Sequence, residues 1–184
     1  MPPAAVATFG VMHDDNLCGA VVVTAGSRHA HRLLDGAKHD AVATLARLWL
    51  ADALPRNSES RVLAIVVRHL RQAGEVRALV SYADPAAGHV GTIYQAAGWS
   101  YLGQSDVGRF LDLGDGTLHH PRSVYTLHGT NSPRVLRKKG IPARSVLVAG
   151  KHRYCHILDP AWAWRLRVPV IPYPTRPPMA ESVP

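Results

Sequence analysis

The stretch that decides the fold is NSESRVLAIVVRHLRQAGEVRALVSY, residues 57–82. Its first two thirds place apolar residues at helical spacing, with Asn57 or Ser58 as the amino-terminal cap and Gly74 as the residue that ends the helix. The remainder, Val76–Tyr82, is a short apolar run, which predicts a buried strand. A helix followed at once by a buried strand is typical of an α/β sheet.

Further elements are predicted on both sides of this unit. Upstream, residues 7–24 read as a β-hairpin and residues 43–50 as a second β-like run. Downstream, residues 91–97 read as a short helix and residues 99–102 as the start of another strand. The resulting order of strand, helix, strand, helix and strand favours parallel neighbours, with ligands at the carboxyl ends of the strands.

The last third of the chain is irregular and basic. A short basic helix is predicted over residues 133–139, strand-like sequence over residues 146–158, and an extended proline-rich tail over residues 169–184. Of the 21 Lys and Arg and the 13 Asp and Glu in the chain, residues 120–184 hold eleven basic and two acidic ones. This block predicts a polyanionic partner, either nucleic acid or the phosphates of a cofactor; a basic tail with no partner is the alternative.

Length and composition exclude several classes of protein. A chain of 184 residues with 47% hydrophobic residues predicts one globular domain. No apolar run reaches the 18 residues that a membrane-spanning helix needs, and the amino terminus lacks the basic and apolar pattern of a signal peptide. We therefore expect a cytoplasmic protein with no membrane partner, in which Cys18 and Cys155 are buried thiols because their spacing matches no zinc site.

Two loops are candidates for chemistry. The loop at residues 55–61 precedes the predicted helix, whose free amides and dipole attract phosphate. Its candidate phosphate-binding residues are Arg56, Asn57, Ser58, Ser60 and Arg61. The loop lacks the glycines of a nucleotide-binding fingerprint, so a plain helix cap is the alternative.

The second loop, residues 81–99, follows a strand end and contains three glycines that permit close approach. Its reactive side chains are Ser81, Asp84, His89, Thr92 and Tyr94. Each has a structural alternative, since Asp84 can cap the turn, Thr92 can cap the helix and Tyr94 can be a core ring. Their concentration at a strand end favours a site.

The hexapeptide YQAAGW, residues 94–99, resembles the Tyr-x-x-x-Gly-aromatic signature of the GNAT acyltransferase superfamily. That resemblance implies a mixed, mostly antiparallel sheet with a splayed central parallel pair, flanked by helices and followed here by a basic, β-rich extension. It also implies acetyl-CoA or a related acyl-CoA as cofactor, with Tyr94 as the acid for the departing thiolate and Thr92 beside the cofactor.

A longer match is more specific. Several blocks closely resemble the bacteriophage Mom DNA-modification family: LWLAD at 48–52, NSESR at 57–61, SYAD at 81–84, GHVGTIYQA at 88–96, KHRY at 151–154 and PYP at 172–174. The resemblance covers roughly residues 6 to 175. It implies a single domain over residues 1–184, in which the charge distribution predicts the cofactor and catalytic core in 1–119, a DNA-facing part in 120–175 and a tail in 176–184.

The Mom resemblance implies conversion of the adenine N6 amine of double-stranded phage DNA to a carbamoylmethyl form, which protects the DNA from host restriction. Tyr94, Asp84, His89 and Ser81 are then the candidate catalytic residues. The candidate DNA-binding residues are Arg137, Lys138, Lys139, Lys151, His152, Arg153 and Tyr154. Candidate rings for stacking on a base are Tyr101, Tyr125, Tyr154, Trp162 and Trp164, although core packing is the expected role of both tryptophans.

The implied product also needs an oxidation and a source of nitrogen, because direct acyl transfer would give an N6-acetyl amide. A redox metal such as iron is one possibility, with His13, His29, His31, His39 and His89 as possible ligands, although no metal site is assigned. Two other functions remain open. One is an ordinary GNAT N-acetyltransferase for a small-molecule or protein amine, and the other is a nucleic-acid-binding module without catalysis.

Overall fold

The computed structural model of the chain describes residues 5–27 and 29–175. Contacts divide the chain into two compact units, the first comprising Met1–Gly103 with His152–Pro184 and the second Gln104–Lys151. The boundary expected from charge, between residues 119 and 120, falls inside the second unit. The residues expected to face DNA are therefore shared between the two units.

Nine strands are present in the described residues. In chain order they are β1 (Ala5–His13), β2 (Asn16–Ala25), β3 (Val42–Leu50), β4 (Ala78–Ala83), β5 (Ser100–Gln104), β6 (Gly108–Asp112), β7 (Leu118–His119), β8 (Arg144–Val148) and β9 (His152–Ile157). One sheet has the order β1-β2-β3-β4-β9-β5 and the other the order β7-β6-β8. In the larger sheet β1/β2, β2/β3 and β4/β9 are antiparallel, and β3/β4 is parallel.

This topology confirms the mixed, mostly antiparallel sheet with one parallel pair. It corrects the broader expectation of parallel neighbours that followed from the alternation of strands and helices. The reason is that β9 returns from the far end of the sequence and pairs with β4, which occupies the place where a parallel strand would continue the alternation.

Four α-helices lie in the described residues: α1 (Ser58–Ala73), α2 (Thr92–Ala96), α3 (Pro121–His128) and α4 (Pro133–Lys138). Helix α1 confirms the prediction, and it ends at Gly74, whose φ of 71° is a left-handed conformation that suits glycine. The sequence predicted α4 but missed α3, which begins at Pro121 with the His120 ring accepting a hydrogen bond from the Arg122 amide.

The larger sheet is covered on both faces. We call one face the helix side; it packs against α1 and α2, and its buried residues include Leu63, Val66, Leu79, Tyr94, Trp99 and Tyr154. We call the other face the loop side; its buried residues include Leu33, Leu34, Val80, Leu102 and Cys155. Burial raises the pKa of the Cys155 thiol to about 12, as expected for an inert core cysteine, whereas Cys18 is only half-buried and corrects the prediction of two buried thiols.

The second unit has a small core of its own, formed by Leu111, Val124, Leu136 and Ala143. The strand-like sequence predicted over residues 146–158 divides here into β8 and β9. Gly150 lies at the break, where a Cβ atom would overlap the Ser105 carbonyl oxygen. Only glycine fits at that contact, which lies between the end of β8 and the start of β9.

The predicted proline-rich tail is described as far as residue 175, and residues 176–184 lie outside the described part. Its extended segment packs on the first unit: the Ile171 amide donates to the Tyr101 carbonyl, and the Tyr173 hydroxyl donates to the Trp99 carbonyl. None of the helices in the described residues is long and apolar enough to cross a membrane.

Candidate active site between two diverging strands

The centre of the candidate site is the point where β3 and β4 separate. Their parallel pairing begins at Val42 with Ala78 and ends at Thr44 with Val80. One residue further on, the Ser81 hydroxyl lies 3.1 Å from the Leu45 carbonyl oxygen. A side-chain hydrogen bond therefore closes the pair at the last point of contact, and the strands diverge beyond it.

Tyr94 reaches this point from α2. Its hydroxyl lies 2.7 Å from the Ser81 hydroxyl. A carbonyl can only accept, so when Ser81 gives its single proton to Leu45, the Tyr94 phenol donates to Ser81. Burial raises the pKa of Tyr94, and the bond with Ser81 offsets part of that rise. Tyr94 is thus a neutral phenol at neutral pH, as a hydrogen-bond donor must be.

A cavity of about 540 Å³ opens between the separated strand ends. Its walls are the ends of β3 and β4 and the loop that leads into α2. The lining residues are Leu48, Trp49, Leu50, Glu59, Tyr82, Ala83, Asp84, Gly88, His89, Val90, Gly91, Thr92, Ile93 and Tyr94. The structure therefore brings together Asp84, His89, Thr92 and Tyr94, which the sequence had grouped, with Ser81 bonded to Tyr94 behind the wall.

The polar residues at the rim differ in exposure and in their contacts. Asp84 accepts a hydrogen bond of 3.0 Å from the Ala86 amide, so it does cap the turn, and it also lines the cavity. His89 and Thr92 are exposed, and Thr92 is the first residue of α2. Asp84 and Tyr94 thus have the structural roles considered for them and also line one cavity.

Gly91 fixes the loop against the core. Its φ is 76°, and a Cβ atom there would overlap the Tyr154 ring. The Tyr154 hydroxyl donates to the Val90 carbonyl and accepts a hydrogen bond of 3.0 Å from the side-chain amide of Gln95. The loop that carries His89 is therefore fastened to a ring of the sheet, which holds the cavity wall in place.

The amino end of α1 lies beside the same cavity. Asn57 caps the helix with a φ of 67° but its side chain makes no cap hydrogen bond. The hydroxyls of Ser58 and Ser60 donate to the carbonyls of Pro55 and Asn57, at 2.6 and 3.0 Å. The Ser58 amide donates to the Pro55 carbonyl at 3.2 Å. Asn57 leaves the Glu59 and Ser60 amides without a side-chain cap, which suits an anion.

A second cavity, of about 440 Å³, lies between α1 and α2. Its polar lining comprises Ser60, Arg61, Arg68, Arg71 and His156. Arg61 lies near the amino end of α1, whereas Arg68 and Arg71 lie further along the helix. There Arg71 donates to the Leu158 carbonyl at 3.0 Å. Arg61 and the amino end of α1 suit a phosphate group. Arg56 is exposed in the preceding loop. Glu59, in the first turn of α1, carries a negative charge that would repel a diphosphate.

The predicted DNA-binding residues fall into two groups. Arg137, Lys138, Lys139 and Lys151 are exposed in the second unit. Within that unit Arg137 donates to the Ala143 carbonyl and Lys139 donates to the His128 carbonyl. Both residues keep their charge while part of each side chain is tied to the backbone.

The other group requires a correction. His152 and Tyr154 are buried, and Tyr154 has 0% exposure. His152 bonds through Nδ1 to the Tyr101 hydroxyl at 2.8 Å, and the half-buried Arg153 donates to the Leu102 carbonyl. The cause is that β9 is an inner strand, so a basic-looking KHRY motif lies within a packed sheet. The structure leaves neither His152 nor Tyr154 on a surface that could meet DNA.

The candidate rings for stacking on a base also differ in burial. Tyr101 and Tyr154 are core rings, whereas Tyr125 is exposed. Trp162 and Trp164 each lie under the Arg165 guanidinium, at 4.7 and 4.6 Å from the ring centroids. The sequence analysis missed Trp49, which lines the main cavity. The available signal was its position in the LWLAD block, where a strand with alternating side chains ends close to an acidic residue.

The proposed metal ligands do not converge. Among residues 5–27 and 29–175, no three His, Cys, Asp or Glu side chains lie close enough to hold a metal ion. The His31 and His39 rings lie 5.3 Å apart between centroids and are tilted by 39°, but no third ligand joins them among the described residues. These residues do not fit a redox-metal site.

The chain belongs to the Mom protein family, whose sequence profile matches residues 1–175. It is 28% identical over 134 residues to the methylcarbamoylase Mom of Escherichia phage Mu. That alignment covers 71% of this chain and 55% of the relative, so the chain spans about half the length of the curated protein it matches.

Two solved structures show faint likeness. An N-acetyltransferase from Staphylococcus aureus Mu50 has a TM-score of 0.43 and 10% identity, with 82% of this chain and 67% of that chain covered. The aminoglycoside acetyltransferase AAC(6')-Ib, in complex with coenzyme A and kanamycin, has a TM-score of 0.41 and 17% identity, with 53% and 58% covered.

Proposed function

We propose that this member of the Mom family is a transferase that converts the N6 amine of adenine in double-stranded DNA to a carbamoylmethyl form. Its cofactor would be acetyl-CoA or a related acyl-CoA, and it would act on phage DNA in the host cytoplasm to block restriction. The observation that carries the proposal is the buried Tyr94 phenol at the opening between β3 and β4, in a chain whose phage Mu relative is named a methylcarbamoylase.

The cofactor would lie along α1. Its diphosphate would meet the amino end of α1 and Arg61, and its thioester would reach Tyr94 between the strands. Such a path uses backbone amides and a guanidinium group, which together favour a diphosphate over a neutral ligand.

Tyr94 would act on the departing thiolate as a hydrogen-bond donor. A thiol has an ordinary pKa of about 8.5 and a phenol about 10, so full proton transfer from Tyr94 is uphill, the more so because burial raises the Tyr94 pKa. A positioned donor nevertheless stabilises charge that develops as the carbon–sulfur bond breaks. The phenol has one proton, so Tyr94 would donate it in a hydrogen bond to the thiolate while Ser81 turns its own proton from the Leu45 carbonyl to the Tyr94 oxygen and holds the phenol in position.

The amine side needs a base. The N6 lone pair is delocalised into the purine, so removal of a proton as the new bond forms would assist the reaction. Asp84 and His89, at the rim of the same cavity, are the groups that would serve.

The full conversion includes more than acyl transfer. Forming N6–CH2–C(O)NH2 from the amine, an acetyl thioester and ammonia releases free thiol and two reducing equivalents, so it requires a nitrogen donor and a two-electron oxidant. The roles given to Tyr94, Ser81, Asp84 and His89 cover only the breaking of the thioester and the deprotonation of the amine.

DNA rather than a small amine is favoured by the second unit. Gln104–Lys151 contains eight Lys or Arg and three Asp, a net charge of +5 in 48 residues. A duplex backbone attracts such a surface without regard to sequence, whereas a small-molecule acetyltransferase has no need of it.

The test is mass analysis of nucleosides from DNA that has been co-expressed with the protein. The proposal expects a deoxyadenosine heavier by one carbamoylmethyl group, and about 10²-fold less of it, or lower still, from cells that express Tyr94→Phe. An N6-acetyl product would support DNA as the substrate but would contradict the proposed conversion to a carbamoylmethyl form. Unmodified DNA, together with acetylation of a small amine by the purified protein, would favour the ordinary N-acetyltransferase.

A further inference from the structure

The main cavity is lined by residues from both faces of the sheet, so it has two different walls. Leu48 pairs with Val21 and packs with the helix-side core. Its neighbour Trp49 pairs with Ala20 and, because side chains alternate along a strand, points to the opposite face. On β4 the same alternation places Tyr82 with the loop-side core. Trp49 and Tyr82 therefore flank the cavity on the loop side, away from α1 and α2.

Trp49 differs from the other tryptophans. Its side chain is 58% exposed, although it lines the cavity. Trp99 is buried against Tyr94, and Trp162 and Trp164 lie against Arg165. In the part of the chain that the structure describes, Trp49 has no ring contact and no cation partner. An indole held open beside a cavity leaves a large apolar face available to a flat ligand.

We infer that Trp49 is the stacking platform for the adenine that is turned out of the duplex, and that this base enters the cavity from the loop side. The inference rests on the proposed function, in which adenine is the substrate and the cofactor approaches from the side of α1. Two reactants that enter from opposite faces of one cleft meet at the diverging strands without competing for space.

The chemistry of the rim suits this orientation. A base in a duplex must leave the stack before its N6 amine can react, and an aromatic face replaces the stacking that it loses. Asp84 and His89 lie along the same cavity and offer an acceptor and a ring nitrogen to the amine. Any base can stack on the Trp49 indole, so Trp49 would determine how tightly the unpaired base binds. Asp84 and His89 at the rim would select adenine.

The test measures binding of a short duplex in which one adenine faces an abasic site, compared with the same duplex fully paired. The wild-type protein should bind the duplex with the unpaired adenine about tenfold more tightly, which is the scale of one stacked base. Trp49→Ala should lose this preference and keep the affinity for paired DNA. Trp49→Phe should retain most of it, since a ring remains.

Trp164→Ala is the matched control, because Trp164 is at least as exposed but does not line the cavity. It should leave the preference intact, and thermal melting should show that all three variants are folded. A Trp49→Ala protein that still prefers the unpaired adenine overturns the inference. So does a wild-type protein that modifies DNA yet shows no preference, and in that case the proposed function stands. Absence of both DNA binding and DNA modification would overturn both.

Discussion

The cavity of the first unit and the basic surface of the second unit use polar groups in opposite ways. At the cavity and directly behind its wall, the hydroxyls of Tyr94, Ser81 and Tyr154 are all hydrogen-bonded within the protein. In the second unit Arg134 and Lys138 are exposed on α4. From this difference we expect that, under the proposed function, activity in the first region depends on the position of single atoms. In the second region we expect DNA binding to depend on the number of charges.

The largest effect in the first region is expected from disturbing the contact between the loop that carries Gly91 and the core. Gly91→Ala would force a left-handed residue and drive a methyl group into the Tyr154 ring. We expect a loss of about 2–5 kcal/mol in the free energy of unfolding and no detectable DNA modification. Chemical denaturation measures the first effect and nucleoside mass analysis the second.

Gly98→Ala provides the matched control. Gly98 has a similar φ of 69°, but a Cβ atom added there would meet nothing within 4 Å. Its cost should be the backbone term alone, about 1 kcal/mol. Equal losses at the two positions would mean that the Tyr154 contact contributes nothing to holding the loop.

Removal of one atom in the cavity tests the role of the phenol. Tyr94→Phe keeps the ring that packs between Trp99 and Tyr154 but removes the hydroxyl. Modification should fall by about 10²-fold or more at equal concentrations of folded protein, while stability falls by only about 1 kcal/mol, the value of one hydrogen bond. Tyr125→Phe, at an exposed ring of α3, should change neither.

Full activity in Tyr94→Phe would make Tyr94 a core ring and remove its role at the thioester. Asp84→Asn sharpens the same point, because it preserves an oxygen that can cap the turn while it removes the base. We expect Asp84→Asn to melt near the wild type but to modify DNA more slowly; unchanged modification would leave His89 as the base.

The second region should respond to charge, not to geometry. Neutralising Arg134 and Lys138 with glutamine should weaken duplex binding for all sequences alike. The slope of log K against log salt should fall by about 0.9 for each lost phosphate contact. Arg153→Gln is the control: Arg153 donates to the Leu102 carbonyl inside the first unit, so it should change stability and leave the slope unaltered. The opposite pattern would place the DNA surface on the first unit.

The smallest effect concerns pH. Burial, followed by the nearby Arg71 charge, lowers the pKa of His156 below its usual 6.5. As pH falls below about 6.5, the unfolded chain takes up a proton that the folded protein resists, so this residue makes stability decline toward acid. Melting temperatures of His156→Gln should decline less between pH 7 and 5 than those of the wild type. The exposed His69→Gln serves as control, and parallel curves for His156→Gln and wild type would contradict the assignment.

Much of the fold followed from local pattern. Helix α1 was predictable because its apolar spacing and its terminal Gly74 agree. The parallel order was overestimated because nothing local in β9 indicates that it returns to pair with β4. Helix α3 was missed since its eight residues give too short an apolar repeat to distinguish it from a loop.

The site was predictable where residues are close in sequence and not where they are distant. Asp84, His89, Thr92 and Tyr94 come from one loop, so grouping them required no tertiary information. The bond from Tyr94 through Ser81 to Leu45 joins three elements and could not be anticipated. Tyr154 was misjudged because its basic neighbours suggested a surface, whereas an inner strand buries it.

Strand β1 is an outer strand of the larger sheet among the described residues, and it gives the protein a route to self-association. Natural sheets protect such an edge with lysine, proline or β-bulges. AVATFGVMH contains neither residue, and its register with β2 is irregular only near its ends, so the regular stretch from Ala7 to Val11 is the part open to pairing. Its exposed Val6 and Met12 add apolar surface. Two copies that join edge to edge along β1 would share one continuous sheet, so aggregation at high concentration should begin here. A lysine in place of Thr8 should suppress it.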